Sequence, residues 1–388
     1  MKRTVSVMMA IIFLLVPAIV LGIGAPDGYK PRAAVFDGEL LAETDSFIAS
    51  NFPGRETLAR WNLAVRVLGG QREYNQIFIS GDELIPVLDP PLDYQVRDNT
   101  HVILQFAERV QAPVYCMIIP TVSAIRQQSL PPFFLGQSVN QKQFIEDVYA
   151  QMLGRGVTVI DAYSALFNAS EQYIFYRTEN SLTALGGFHL YYALGGGVGG
   201  GRLLEGLSRP SFRDYDIEHV KFDFLGDLYA RSPFQGARAD ILSIFRHRRV
   251  PPLEYTVTKR HNGLFKTYHT LFPLHNLDFE GNRAMNIYLG GMSAVTTITT
   301  SAPYSNHLLV LGDRTALAYV PFLVNHYRTV TLIDLSQMGR EDFRLISDAI
   351  QENAYDQILF AYSIETFMHR PYPAWAMFLL PEPDEDER

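Results

Sequence analysis

Few residues of this 388-residue chain are equipped for chemistry on their own. Cys116 is the only cysteine, so no internal disulfide can form, and its place in the apolar run Val114 to Ile119 marks a small buried hydrophobe. No Cys/His pair has zinc-like spacing, and neither a metal nor a cofactor is expected. The glycine run Gly195 to Gly201 fits a GxGxxG template, but a phosphate cradle needs a strand before it, and Phe188 to Leu194 has a helical pattern. The run reads as a loosened helix end or loop. Arg246-His247-Arg248-Arg249 is the densest basic cluster and reads as a solvated face. Asp384 and Glu385 belong to an acidic tail over 381–388. With a net charge of −8, a pI near 5.7 and no long basic stripe, a nucleic-acid footprint is excluded.

The elements that would position a site are easier to read. Val114 to Ile119, stopped by Pro120, suits a strand buried on both faces, as do Val157 to Ile160, Leu308 to Leu311, Val330 to Ile333 and Gln357 to Phe360. Helical repeats, such as Thr100 to Val110 and Gln141 to Leu153, lie between them. This order predicts an α/β fold, a mainly parallel sheet with helices on both faces. Function then belongs at the carboxyl ends of the strands, where Pro120-Thr121, Asp161 and Gly312-Asp313-Arg314 stand. Residues from about 214 to 306 are richer in aromatics and less regular, and read as an insertion into the same domain, which spans 26–380.

At the N-terminus, Met1-Lys2-Arg3 precedes an apolar run from Val7 to Ile23. Residues 1–25 are therefore a signal peptide or an N-terminal membrane anchor, Gly22 and Gly24 offering a cleavage point and the length of the run favouring retention. Either way the remainder is expected to be extracytoplasmic, membrane-anchored or secreted. The 47% apolar and 19% charged composition of the whole sequence is that of a core-forming globular chain.

Several patterns occur together in order: Phe52-Pro53-Gly54-Arg55, Asn75 to Asp82, Leu130-Pro131, Tyr176-Arg177-Thr178-Glu179-Asn180-Ser181-Leu182-Thr183, Gly226 to Ser232, and Leu309-Val310-Leu311-Gly312-Asp313-Arg314 with Pro321-Phe322-Leu323. From about residue 45 to 370 the chain resembles the DHHW family, SGNH-hydrolase-like proteins related to those of alginate O-acetylation. In that family an Asp-His-His-Trp-Thr signature precedes a Gly. The resemblance implies that its Asp and second His orient and activate a serine in a late Asp-Ser pair. This sequence departs from the pattern at each reacting position. Glu179 stands for the Asp, Asn180 for the first His, Ser181 for the base, Leu182 for the Trp and Arg314 for the nucleophile, while Thr183, Gly186 and Asp313 are kept. A hydroxyl is no base near neutral pH, and a guanidinium does not attack a carbonyl.

Neighbouring residues offer no evident rescue. Thr315 should point away from the nucleophile position, His189 lies about two helical turns past Ser181, and His307 and His326 flank the Gly312-Asp313 turn as structural residues. Glu179, Ser181, Asp313 and Arg314 are thus expected to be vestigial catalytic positions, with Glu179 and Arg314 close enough to pair. The resemblance implies a non-catalytic envelope protein that binds or assembles in cell-surface polysaccharide acetylation, its partner a membrane-bound O-acyltransferase or a glycan. An O-acetyltransferase or esterase using other residues, or a structural envelope protein, are the alternatives.

Overall fold

The computed structural model describes residues 55–136, 138–196, 203–204, 211–261, 263–279 and 281–380. The N-terminal segment 1–25, most of the glycine run and the acidic tail lie outside the described residues. The chain divides after Gly70 into two units. The first contributes one described helix, α1 (Arg55–Leu68). No helix among the described residues is long and apolar enough to cross a membrane.

The second unit begins with a three-stranded antiparallel sheet, β1 (Glu73–Tyr74), β2 (Ile77–Ser80) and β3 (Glu83–Pro86). Helix α2 (Asp93–Arg109), β4 (Val114–Ile119), α3 (Gln141–Met152), β5 (Val157–Val159), α4 (Ala162–Phe167) and α5 (Ala184–Leu194) follow. A long hairpin, β6 (Tyr215–Phe224) and β7 (Asp240–His247), precedes β8 (Tyr255–His261), β9 (Leu264–Tyr268) and β10 (Val295–Thr300). The chain closes with β11 (His307–Gly312), α6 (Ala316–Leu323), β12 (Thr329–Ile333), α7 (Arg340–Gln351), β13 (Gln357–Ser363) and α8 (Ile364–His369).

Eight strands form the main sheet, in the order β5-β4-β13-β11-β12-β10-β8-β9. The five strands read from the sequence are its parallel part, paired β5 to β4, β4 to β13, β13 to β11 and β11 to β12. All six residues of β4 are buried, and β11, β12 and β13 expose little more than their ends. A strand covered by helices on both faces must be apolar on both, which is why these runs show no alternation. The stretch 214–306 builds two things: the β6–β7 hairpin as a separate sheet, and β8 to β10, which extend the main sheet antiparallel beyond β12. Their alternating Thr residues (Thr256, Thr258, Thr297, Thr299) fit strands with one wetter face.

Helices α5 and α6 are apolar around almost their whole circumference and are buried accordingly. Their close approach depends on Gly187. A Cβ there would sit 1.9 Å from the Ala318 carbonyl oxygen, and one at the adjacent Gly186 would sit 2.2 Å from that of Ile174. This crossing sets α6, and hence the turn after β11, against the segment leading into α5.

Candidate functional site

Residues 173–183 fold back sharply. Phe175 and Leu182 form an isolated antiparallel bridge. The Tyr176 N–H donates to the Ser181 carbonyl (3.2 Å), Thr183 N–H to Ile174 (2.9 Å) and Ser181 N–H to Glu179 (2.9 Å), so the tip carries Glu179-Asn180-Ser181. Thr183 ends the loop as the N-cap of α5, accepting from Gly186 N–H at 3.2 Å while its hydroxyl donates to the Tyr173 carbonyl at 2.7 Å. The retained Thr and Gly of the signature are therefore helix-start residues.

A residue that sequence reading missed holds this loop from below. Asp240, at the start of β7, is fully buried. Its Oδ1 accepts from the Tyr173 hydroxyl and the Arg177 N–H (2.8 Å), and its Oδ2 from the Thr178 N–H (2.8 Å) and Thr178 Oγ1 (2.5 Å). Burial pushes its pKa up, and these donors push it back. Arg177 bridges onward, with Nη1 3.8 Å from Asp240 and Nε 3.7 Å from Glu83, which also binds Arg126 Nη1 at 2.5 Å. An Asp opening a strand in an aromatic-rich stretch carried no signal of its own.

Glu179 is 4% exposed. Its Oε2 accepts from Asp227 N–H at 2.7 Å, and its Oε1 lies 3.9 Å from Arg314 Nη1. The two groups meet as the sequence expected, but at 3.9 Å their nearest approach is too long for a forked hydrogen-bonded contact. Gly226 makes room for the carboxylate: a Cβ there would lie 2.5 Å from Glu179 Oε2. Burial raises the Glu179 pKa more than Arg314 and the Asp227 N–H lower it.

Across the cleft, Asp313 ties the ends of β11 and β13 together. Its Oδ1 accepts from Thr315 N–H (3.0 Å) and Oγ1 (2.5 Å), its Oδ2 from Ser363 N–H (2.8 Å) and Oγ (2.7 Å). The expectation that Thr315 points elsewhere is corrected here. The chain turns immediately after Gly312, so strand alternation no longer applies, and the Asp313 carboxylate draws the Thr315 hydroxyl to the cleft.

Ser181, Asp313, Arg314, Thr315 and Ser363 line one cavity of about 220 Å³, with Thr121, Asn180, Glu365 and Arg370 among its other polar walls. It opens at the carboxyl ends of β4, β11 and β13, where such sheets bind ligands. Asn180 Nδ2 donates to Glu365 Oε2 at 2.9 Å, and Ser181 Oγ is buried without a hydrogen-bond partner. Of the three strand ends singled out, Pro120-Thr121 and Asp313-Arg314 meet here, whereas Asp161 is the N-cap of α4, accepting from Ser164 N–H at 2.9 Å. Among the described residues, no histidine lines the cavity. His189 contacts Gln172 Oε1 at 3.2 Å, and His307 Nδ1 contacts the Ala354 carbonyl at 3.1 Å. His326 is buried against the Tyr191 hydroxyl, and desolvation lowers its pKa to about 4. Cys116, buried in β4, has its thiol pushed up to about 12 and is inert.

A parallel sheet extended at one edge, with a loop before α5 facing the Asp313 turn, defines an α/β protein with its candidate site at the strand ends. The DHHW protein family matches residues 93–333, and the chain belongs to that family. Among solved structures, a DHHW family protein from Eubacterium siraeum DSM 15702 is similar at 18% identity and a TM-score of 0.65, covering 80% of this chain and 98% of that one. Bacillus cereus PatB1 is similar at 16% identity and a TM-score of 0.60, over 76% of this chain and 98% of its own, and at 0.59 in its structure with a sulfonyl adduct. No curated protein matches the chain.

Proposed function

We propose that this chain is a non-catalytic DHHW protein of the cell envelope that uses the sheet-end cavity to bind a cell-surface glycan during acetylation by a membrane-bound O-acyltransferase. The observation that carries this reading is the composition of the cavity. Arg314 and Ser181 stand where the family implies a nucleophile and a base, and no imidazole of the described residues lines the space. A serine hydroxyl needs a neighbouring base to become a nucleophile. Here the hydroxyls of Thr315 and Ser363 are spent on the Asp313 carboxylate instead. What remains is a polar hollow with Asn180, Glu365 and Arg370 on its wall, suited to hydroxyl-rich ligands. The envelope location rests on the basic start and apolar run at the N-terminus.

The test has two arms. Hydrolysis of an acetyl ester reporter and labelling by a serine-directed sulfonyl probe should both stay at background in the unmodified protein. Esterase turnover should rise only when Arg314→Ser is combined with Ser181→His. Robust turnover by the unmodified chain would overturn the non-catalytic reading. Absence of binding to envelope polysaccharide from its own host would leave the structural-protein alternative in its place.

A further inference from the structure

The basic cluster Arg246-His247-Arg248-Arg249 is not uniformly a solvated face. Arg246 and Arg248 point outward and are matched by Glu218 (2.9 Å) and Asp216 (2.7 Å) on β6. His247 and Arg249 are half-buried and line a second cavity, of about 260 Å³. This cavity lies between the end of the β6–β7 hairpin, the 252–253 and 269–272 segments, and the end of α6. No carboxylate of the described residues comes within ion-pairing distance of Arg249. Its own N–H donates to His247 Nδ1 at 3.0 Å, which makes that nitrogen an acceptor and leaves the proton of the neutral ring on Nε2.

The rest of the cavity has two characters. Tyr215, Phe245, Leu271 and Phe272 form an apolar, buried wall. Tyr255 adds a hydroxyl that is only loosely used, reaching Asn325 Oδ1 at 3.4 Å, near the limit of a hydrogen bond, whereas the buried Asn325 amide is held by its Nδ2 donating to the Phe322 carbonyl at 3.0 Å and to the Tyr215 hydroxyl at 3.4 Å. The volume is just under the ~300 Å³ lower bound of ordinary small-molecule sites, so it takes one ring rather than an extended chain. An unmatched guanidinium selects a carboxylate or phosphate, and a phenol ring beside hydroxyl and amide groups suits a ring with one CH face and hydroxyls at its edge.

We propose that this cavity is a second ligand site, independent of the sheet-end cleft, that binds a single sugar ring bearing an anionic substituent. Arg249 takes the anionic group, His247 a ring hydroxyl, and Tyr255 the CH face.

The experiment is titration calorimetry on the full-length protein in detergent with glucuronate, glucose 6-phosphate, glucose and inorganic phosphate. At least one of the two acidic sugars should bind at least tenfold tighter than both glucose and inorganic phosphate, and which one does separates a carboxylate from a phosphate ligand. Arg249→Gln should weaken that binding at least tenfold and abolish the preference over glucose. Tyr255→Ala should weaken the acidic and neutral sugars alike, and the exposed Arg155→Gln should change nothing. Salt titration of the unmodified protein gives a readout that does not depend on any variant folding, and the acidic sugar should weaken as salt rises. Equal affinity for glucose, equal affinity for inorganic phosphate, or an unchanged Arg249→Gln would each overturn the assignment. So would loss of binding on Arg314→Ser alone, which would move the ligand to the sheet-end cleft.

Discussion

Replacing Glu179 separates two roles that the structure gives one carboxylate. At 3.9 Å the Glu179–Arg314 pair has a gross Coulomb attraction of about 4 kcal/mol at an effective dielectric of about 20. That is not its net worth. The Arg314 side chain is 37% exposed, so solvent screens it, and the separation is too long for a direct hydrogen bond. The direction of the Glu179 pKa agrees, since burial disfavours the charge by more than Arg314 favours it. Glu179→Gln keeps an acceptor for the Asp227 N–H and removes a poorly solvated charge, so its cost should be within about 1 kcal/mol. Glu179→Ala strands that N–H and should cost roughly 2–3 kcal/mol. Arg314→Gln should cost less than about 1 kcal/mol, and the coupling in the Glu179→Gln/Arg314→Gln cycle should stay near or below 1 kcal/mol. The assay is urea unfolding at pH 7 of the protein lacking residues 1–25. Coupling above roughly 3 kcal/mol, or Glu179→Gln as damaging as Glu179→Ala, would refute the reasoning and make the ion pair itself the support of the cleft.

Four further outcomes follow from buried positions. His326 has its pKa lowered from 6.5 to about 4, so its contribution is fully present above pH 6.5 and lost as pH falls through about 4; the span is worth roughly 3 kcal/mol, and His326→Leu should flatten that part of the stability–pH curve. Glu179 has the opposite sign: its folded pKa is raised, so stability from this group is greatest below pH 4.5 and declines as pH rises through the folded value, a slope that Glu179→Gln should remove. Gly187→Ala would force a Cβ to within 1.9 Å of the Ala318 oxygen and should cost about 3 kcal/mol, read as a lowered thermal midpoint, and an unchanged midpoint would mean that α5 and α6 separate freely. Asp240→Asn turns an amide N–H₂ towards groups that already donate, and should cost about 2 kcal/mol and speed hydrogen exchange across 173–183, with little change elsewhere.

By itself the sequence determined the parallel core. Runs such as Val114 to Ile119 and Leu308 to Leu311 are apolar without alternation, the composition that suits a strand covered on both faces. It also determined which residue types stand at the positions the family uses, because the order of motifs survives without any geometry: Glu179 and Ser181 before Thr183, Arg314 after Asp313. Tertiary structure decided what those residues do. Glu179 meets Arg314 across 135 positions of chain only because the Gly187–Ala318 crossing brings the loop before α5 against the turn after β11. Asp240 and Ser363 became site-supporting residues through hydrogen bonds to partners 62 and 50 positions away, and local patterns carry no trace of such pairings. Thr315 turned inward and Arg249 turned towards a cavity for the same physical reason. Once the chain leaves a helix or strand, the direction of a side chain is set by long-range partners and steric closure rather than by periodicity.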